Sequence, residues 1–213
     1  MHIDHVIWFA QDLPSANAYF ESRLDSVPAY GGVHPGDGTC NSLLSLGEAT
    51  YLEILAFDAA QPRPQGELSS LSGQGLYHWA VGGVVLADIN ARAAQAGIKT
   101  SGIVSGGRRV PEGGWIAWDT LGIADHGLGA LVPFFIDWRD CPHPAASAPK
   151  GGRLAKLELV TPRANELRSL FAILGLDIDI AVGDTPGISA TIQTPGGREV
   201  LRSVEPLPQG FVI

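Results

Sequence analysis

Two histidines stand in near-matching apolar contexts, His5 in IDHVIW and His78 in LYHWAV, and a glutamate, Glu53, interrupts the apolar run YLEIL. A histidine in such a run is either a hydrogen-bonded core or edge residue or a group held for chemistry. A buried carboxylate must find a cation, a hydrogen-bonding neighbour or an outward register, because leaving it bare in an apolar layer is expensive. His34, in the turn HPGDGT, offers an acid, a base or a further ligand, against the plainer reading of a turn residue. Asn41, just beyond that turn, can donate and accept toward a substrate oxygen or simply satisfy local backbone. Arg108 and Arg109, near Trp115 and Trp118, suit a substrate carboxylate or phosphate held bidentately beside an aromatic wall; surface ion pairing is the alternative.

The elements that must position these groups recur. The run Ile3 to Ala10 reads as a strand, and Asp12 with Pro14 starts a helix whose Ala16, Tyr19, Phe20 and Leu24 form one apolar stripe. Strands are expected near Pro28 to Val33, Cys40 to Gly47 and Thr50 to Phe57, parted by HPGDG and LGEAT turns. After a Pro/Gln/Ser-rich connector, the strand GLYHWAVGG and a helix carrying Leu86, Ile89, Ala93 and Ala96 restart the order. Strands follow near Thr100 to Ser105, Trp115 to Leu121 and Leu131 to Trp138, with GGRR and EGG turns.

A third pass begins at LAKLELVT. Thr161 at the N-cap, Pro162 at the first helical position and Gly175 after the end bound a helix with Leu167, Leu170, Phe171 and Leu174 on its apolar face. Strands at Ile178 to Val182, Ile188 to Thr194 and Glu199 to Ser203 complete it. The expected division is therefore a βαβββ unit over 1–60, a linker over 61–75, a second unit over 76–141, a linker over 142–152 and a third unit over 153–213.

The 213 residues, 45% of them hydrophobic, suffice for one large core or a few modules sharing sheets. A formal net charge of −8 disfavours nucleic acid and anionic membranes as partners. No stretch reaches the roughly 18 apolar residues of a spanning helix. The N-terminal sequence enters a strand pattern without a basic leader, so a cytoplasmic location is expected, with Cys40 and Cys141 reduced.

Three successive βαβββ units resemble the vicinal oxygen chelate superfamily, and HPGDGTCNSLLSLG with TYLEILAF, RRVPEGGWIAW, and VPFFIDW with HP shortly after resemble its glyoxalase-like domain family. The resemblance implies an α+β fold in which paired units form curved mixed sheets around a cup, with helices outside. It also implies ligands on the first and last strands of a unit, which here are His5, Glu53 and His78. Two imidazoles and a carboxylate suit Fe, Mn, Ni or Zn and leave positions open for substrate oxygens. The family's fourth position falls near Phe134 or Phe135, neither of which binds metal, with Asp137 a misplaced substitute.

Phe134, Phe135 and Trp138 are candidates for a hydrophobic pocket, although period-two alternation lets only one side of their strand face it; Phe135, with Trp118 beside the arginines, is assigned to substrate binding. The implied activity is that of a divalent-metal-dependent lyase, isomerase or dioxygenase acting on a small oxygen-rich metabolite. Glu53 and His34 would take part in catalysis, with Asn41, Arg108 or Arg109 on the substrate. The alternative is a metal-free binding protein of the bleomycin-resistance type. The third unit, with Leu157 and Leu201 at the positions matching His5 and Glu53, can build no equivalent site; it is expected to cover a sheet or to mediate homodimer contacts.

Overall fold

The computed structural model describes residues 1–64, 67–110 and 113–208. Glu112 of the expected EGG turn and the last five residues assigned to the third unit lie outside them. Strand β1 (His2–Ala10) alternates sharply: Val6, Trp8 and Ala10 face the helices, while Ile7 and Phe9 face the other way. Helix α1 (Leu13–Leu24) follows, capped by Asp12, whose carboxylate accepts the Ser15 N–H, and it buries Ala16, Phe20 and Leu24. Strands β2 (Ala29–His34), β3 (Thr39–Ser45) and β4 (Tyr51–Phe57) complete the first unit.

The second unit follows a short helix α2 (Glu67–Ser70) and comprises β5 (Gly75–Gly82), α3 (Leu86–Gln95), β6 (Thr100–Arg109), β7 (Trp115–Ile123) and β8 (Phe134–Asp137). The eight strands form one sheet in the order β2-β3-β4-β1-β5-β8-β7-β6. In each unit the first strand lies parallel to the last, β1 beside β4 and β5 beside β8, and the units join where β1 and β5 run antiparallel. The sheet curls until its edges meet: Arg108 Nη1 on β6 donates to the Gly31 carbonyl on β2. Glycine is required at that meeting, since a Cβ on Gly32, at φ +140°, would sit 2.7 Å from the Arg109 carbonyl.

The third unit comprises β9 (Arg153–Thr161), α4 (Ala164–Leu174), β10 (Asp179–Val182), β11 (Gly187–Thr194) and β12 (Gly197–Arg202). Its element order repeats the first two but its sheet does not. The order is β10-β9-β11-β12, so β9 pairs with the strand directly after the helix rather than with the last. Its helix begins later than expected: Arg163 is the N-cap, and Thr161 Oγ1 accepts the Arg163 N–H instead of capping. Gly175 closes α4 in the left-handed conformation, as its position implied.

Leu157, Leu167, Phe171 and Leu201 share one core with Phe20 of α1 and Ile89 of α3, and the Phe171 ring stands 6.1 Å from Trp79 of β5. The third unit thus covers the helical face of the large sheet, and the opposite face is left as a cup.

Candidate active site

The cup encloses a cavity of about 410 Å³. His5, His34, Asn41, Glu53 and Arg108 gather on its polar side, while Ile7, Leu55, Tyr77, Phe134, Ile136 and Trp118 supply apolar wall. The sheet's alternation explains the selection. On β4, Tyr51, Glu53 and Leu55 point inward and Leu52, Ile54 and Ala56 join the helical core.

Glu53 is the hub of the polar side. Its Oε1 accepts the Asn41 amide N–H at 2.6 Å and lies 3.6 Å from His34 Nε2, while its Oε2 lies 3.7 Å from His5 Nε2. His34 is held at its other nitrogen by Thr39 Oγ1, 2.9 Å away. Burial lowers the His34 pKa, against the opposing pull of Glu53. Burial likewise lowers that of His78, to about 3, so its imidazole is neutral at physiological pH. His78 Nδ1 lies 2.9 Å from both backbone polar atoms of Trp79. Arg108, 4% exposed, places its guanidinium at the cavity wall.

His5, His34, Asn41, Glu53, His78, Arg108 and Trp118 therefore line one cavity. Register decides how closely they meet. Ile7 pairs with Glu53 on one side and His78 on the other, so its side chain stands between them, and His5 lies two residues along the same strand. In consequence the ligand atoms of His5, Glu53 and His78 do not all approach within 4.8 Å of one another.

Two expected residues lie elsewhere. Phe135 is fully buried in the helical core, and its neighbour Phe134 is the one facing the cavity, with its ring 5.5 Å from His5 and 5.6 Å from His78. Arg109 is exposed on the outer side of β6. Asp137, the substitute ligand, is also exposed and accepts the Arg139 backbone N–H.

Sequence reasoning passed over Asp4, although a carboxylate inside an apolar strand beside a histidine is itself a signal. The β1–β5 register slips between Ile3 and His5, making Asp4 a bulge residue, and the bulge turns its side chain into the protein. Asp4 is 1% exposed; its Oδ1 lies 2.7 Å from His5 Nδ1, and its Oδ2 lies 3.1 Å from both Trp138 Nε1 and His143 Nε2. Burial opposes its charge, but hydrogen bonds from His143 and His5 outweigh that cost and hold the carboxyl well below the usual range.

Residues 3–175 match the profile of a family described as the glyoxalase-like domain. The chain belongs to that glyoxalase-like family. The family lies in the vicinal oxygen chelate superfamily, and the paired βαβββ units are its fold. No curated protein sequence matches the chain significantly. Among solved structures, a hypothetical protein from Staphylococcus aureus aligns with a TM-score of 0.66 at 16% identity, over 99% of this chain and 86% of that one, third unit included. A variant of Streptomyces coelicolor methylmalonyl-CoA epimerase in complex with 2-nitronate-propionyl-CoA aligns with a TM-score of 0.50 at 15% identity, over 68% of this chain and 99% of the epimerase. At such identities the likeness is one of fold.

Two cup residues of this glyoxalase-like chain suit a divalent cation. His5 Nδ1 lies 2.7 Å from the Asp4 carboxylate, the carboxylate–histidine arrangement common behind metal ligands, and its Nε2 lies on the Glu53 side. His5 Nε2 lies 3.7 Å from Glu53 Oε2, so these two side chains would hold a divalent cation that entered the cup.

Proposed function

We propose that this glyoxalase-like protein is a divalent-metal-dependent lyase or isomerase acting on a small oxygen-rich metabolite, with His5 and Glu53 holding the cation and the neutral imidazole of His78 on the wall beside them. The Asp4–His5 pair carries this reading, since it orients an imidazole lone pair into a cavity next to a carboxylate. The cation, when bound, supplies Lewis-acid stabilisation of a substrate oxygen that becomes anionic. The chain's own residues do the rest. Arg108 holds a substrate carboxylate at the cavity wall, and the Asn41 N–H fixes Glu53. His34, kept neutral by burial, takes or returns a proton at Nε2 beside Glu53. Tyr77, Phe134 and Trp118 exclude water from the reacting atoms. The reading includes a cytoplasmic setting with Cys40 and Cys141 reduced.

Metal analysis of protein purified without chelator tests the proposal. One divalent ion per chain is expected, lost on His5→Ala and on Glu53→Gln, with Zn2+ titration reproducing the order. Metal-free wild type that also takes up no Zn2+ would overturn it. That outcome would favour the second reading, a metal-free binder, for which the packing of Phe134 against both imidazoles already speaks.

A further inference from the structure

We infer that Asp4, together with His143 and Trp138, is a positioning device that fixes His5 as the Nδ1–H tautomer and so keeps its Nε2 lone pair directed into the cup. The inference rests on the proposed use of His5, and it assigns roles to three residues outside the ligand set.

The argument is a count of donors and acceptors. Asp4 presents two oxygens and no proton. Trp138 Nε1 can only donate, and it lies 3.1 Å from Oδ2 and 3.3 Å from Oδ1. His143 has its Nδ1 committed as acceptor of the Ala145 backbone N–H at 3.1 Å, so its proton sits on Nε2 and is donated to Oδ2 at 3.1 Å. Both donors fall on Oδ2, leaving Oδ1 to His5 at 2.7 Å, where Nδ1 must donate. Each member is held from outside the triad: the bulge turns Asp4 inward, and the turn at Pro144 fixes His143.

The same accounting rejects a rival reading. His2, Asp4 and His143 bring ligand atoms within 4.8 Å of one another, the only such group among the described residues. A metal there would need the Nε2 lone pair of His143 while Nδ1 also accepts a hydrogen bond, which a neutral imidazole cannot supply. The cluster is built to hold protons in fixed places rather than an ion.

Asp4→Asn separates the possibilities because an amide has one oxygen. Two fixed donors, from Trp138 and His143, claim that oxygen, so the new NH2 faces His5 and forces Nδ1 to accept. His5 then becomes the Nε2–H tautomer with its lone pair turned out of the cup. Long-range nitrogen–proton NMR correlations of histidine-labelled protein read the tautomer directly. The expected results are Nδ1–H for His5 in wild type, Nε2–H in Asp4→Asn, and Zn2+ affinity lower by about 10- to 100-fold in that variant. Asp4→Asn/His143→Gln should restore Nδ1–H, since the glutamine oxygen can accept the new NH2.

An Nε2–H signal for His5 in wild type overturns the inference, as does an unchanged tautomer in folded Asp4→Asn; should that variant not fold, the wild-type spectrum alone decides. Wild type that shows Nδ1–H yet takes up no Zn2+ upholds the positioning and removes the cation from the proposed function.

Discussion

Phe134→Glu would put a carboxylate between the two imidazoles that the aromatic ring now touches, and it should strengthen the divalent site. The ring is 7% exposed and stands 5.5 Å from His5 and 5.6 Å from His78, so a glutamate on the same Cα reaches both. Without metal the change is costly. Truncating a buried phenylalanine costs roughly 3–5 kcal/mol and an unsatisfied buried carboxylate roughly 1–3 more, offset in part by the methylenes glutamate retains; about 4 kcal/mol is a fair net figure. For a chain of this length that lowers Tm by roughly 8–16 °C in the presence of chelator. Zn2+ at a thousandfold excess over Kd returns about 4 kcal/mol, so nearly all of the loss should come back on adding metal.

Differential scanning calorimetry with chelator and with Zn2+, on wild type and variant, reads both effects. Phe135→Glu is the control: that ring lies in the helical core, and its replacement should destabilise at least as much, with Zn2+ giving no larger shift than it gives wild type. The reasoning is refuted if Phe134→Glu shows no larger Zn2+ shift than wild type, or if Phe135→Glu recovers equally.

The buried imidazole of His78 should make the protein acid-sensitive. Its pKa falls from 6.5 to about 3 on folding, so the unfolded chain binds the extra proton and stability drops as pH falls through that window. His78→Gln should flatten the dependence by close to one proton, about 1.4 kcal/mol per pH unit, in urea unfolding between roughly pH 6 and 4. Gly31→Ala would set a Cβ 2.4 Å from Asn41 Oδ1 and 3.2 Å from Arg108 Nη2, so it should weaken Zn2+ binding through Glu53 and cost about 1–3 kcal/mol by overpacking. Gly187→Ala, which meets only Ser203 Oγ at 3.5 Å, should change neither, as thermal melts and Zn2+ titration would show.

Hydropathy period carried most of the first two units, because α1 and α3 each present one apolar stripe to the sheet. It carried less where both faces of a strand are buried. Phe134 and Phe135 are consecutive and both buried, so the polar half of the alternation that would tell cavity from core is missing, and the wrong phenylalanine was placed in the pocket. Arg108 and Arg109 were separable only by knowing that β6 closes onto the Gly31–Gly32 backbone, a contact between strands distant in sequence. The third unit shows the same limit at a larger scale. Its strands and helix were legible, but pairing β9 with β10 rather than with β12 is a property of the sheet, and no local pattern encodes it.

The two cup histidines illustrate why matching motifs need not make matching sites. IDHVIW and LYHWAV place His5 and His78 alike, and in the β1–β5 pairing the residue before each histidine is the one that slips register, Asp4 in one strand and Tyr77 in the other. The same bulge therefore sits behind both rings, yet it delivers different chemistry. Asp4 brings an ionised acceptor to His5 and fixes its proton, whereas a tyrosine before His78 brings no carboxylate, and that imidazole settles on the Trp79 backbone. A carboxylate behind an imidazole raises its basicity and holds its orientation. Of two histidines set in place by one repeated strand pattern, His5 has a carboxylate behind it and His78 the Trp79 backbone, and the difference lies in the single residue that precedes each.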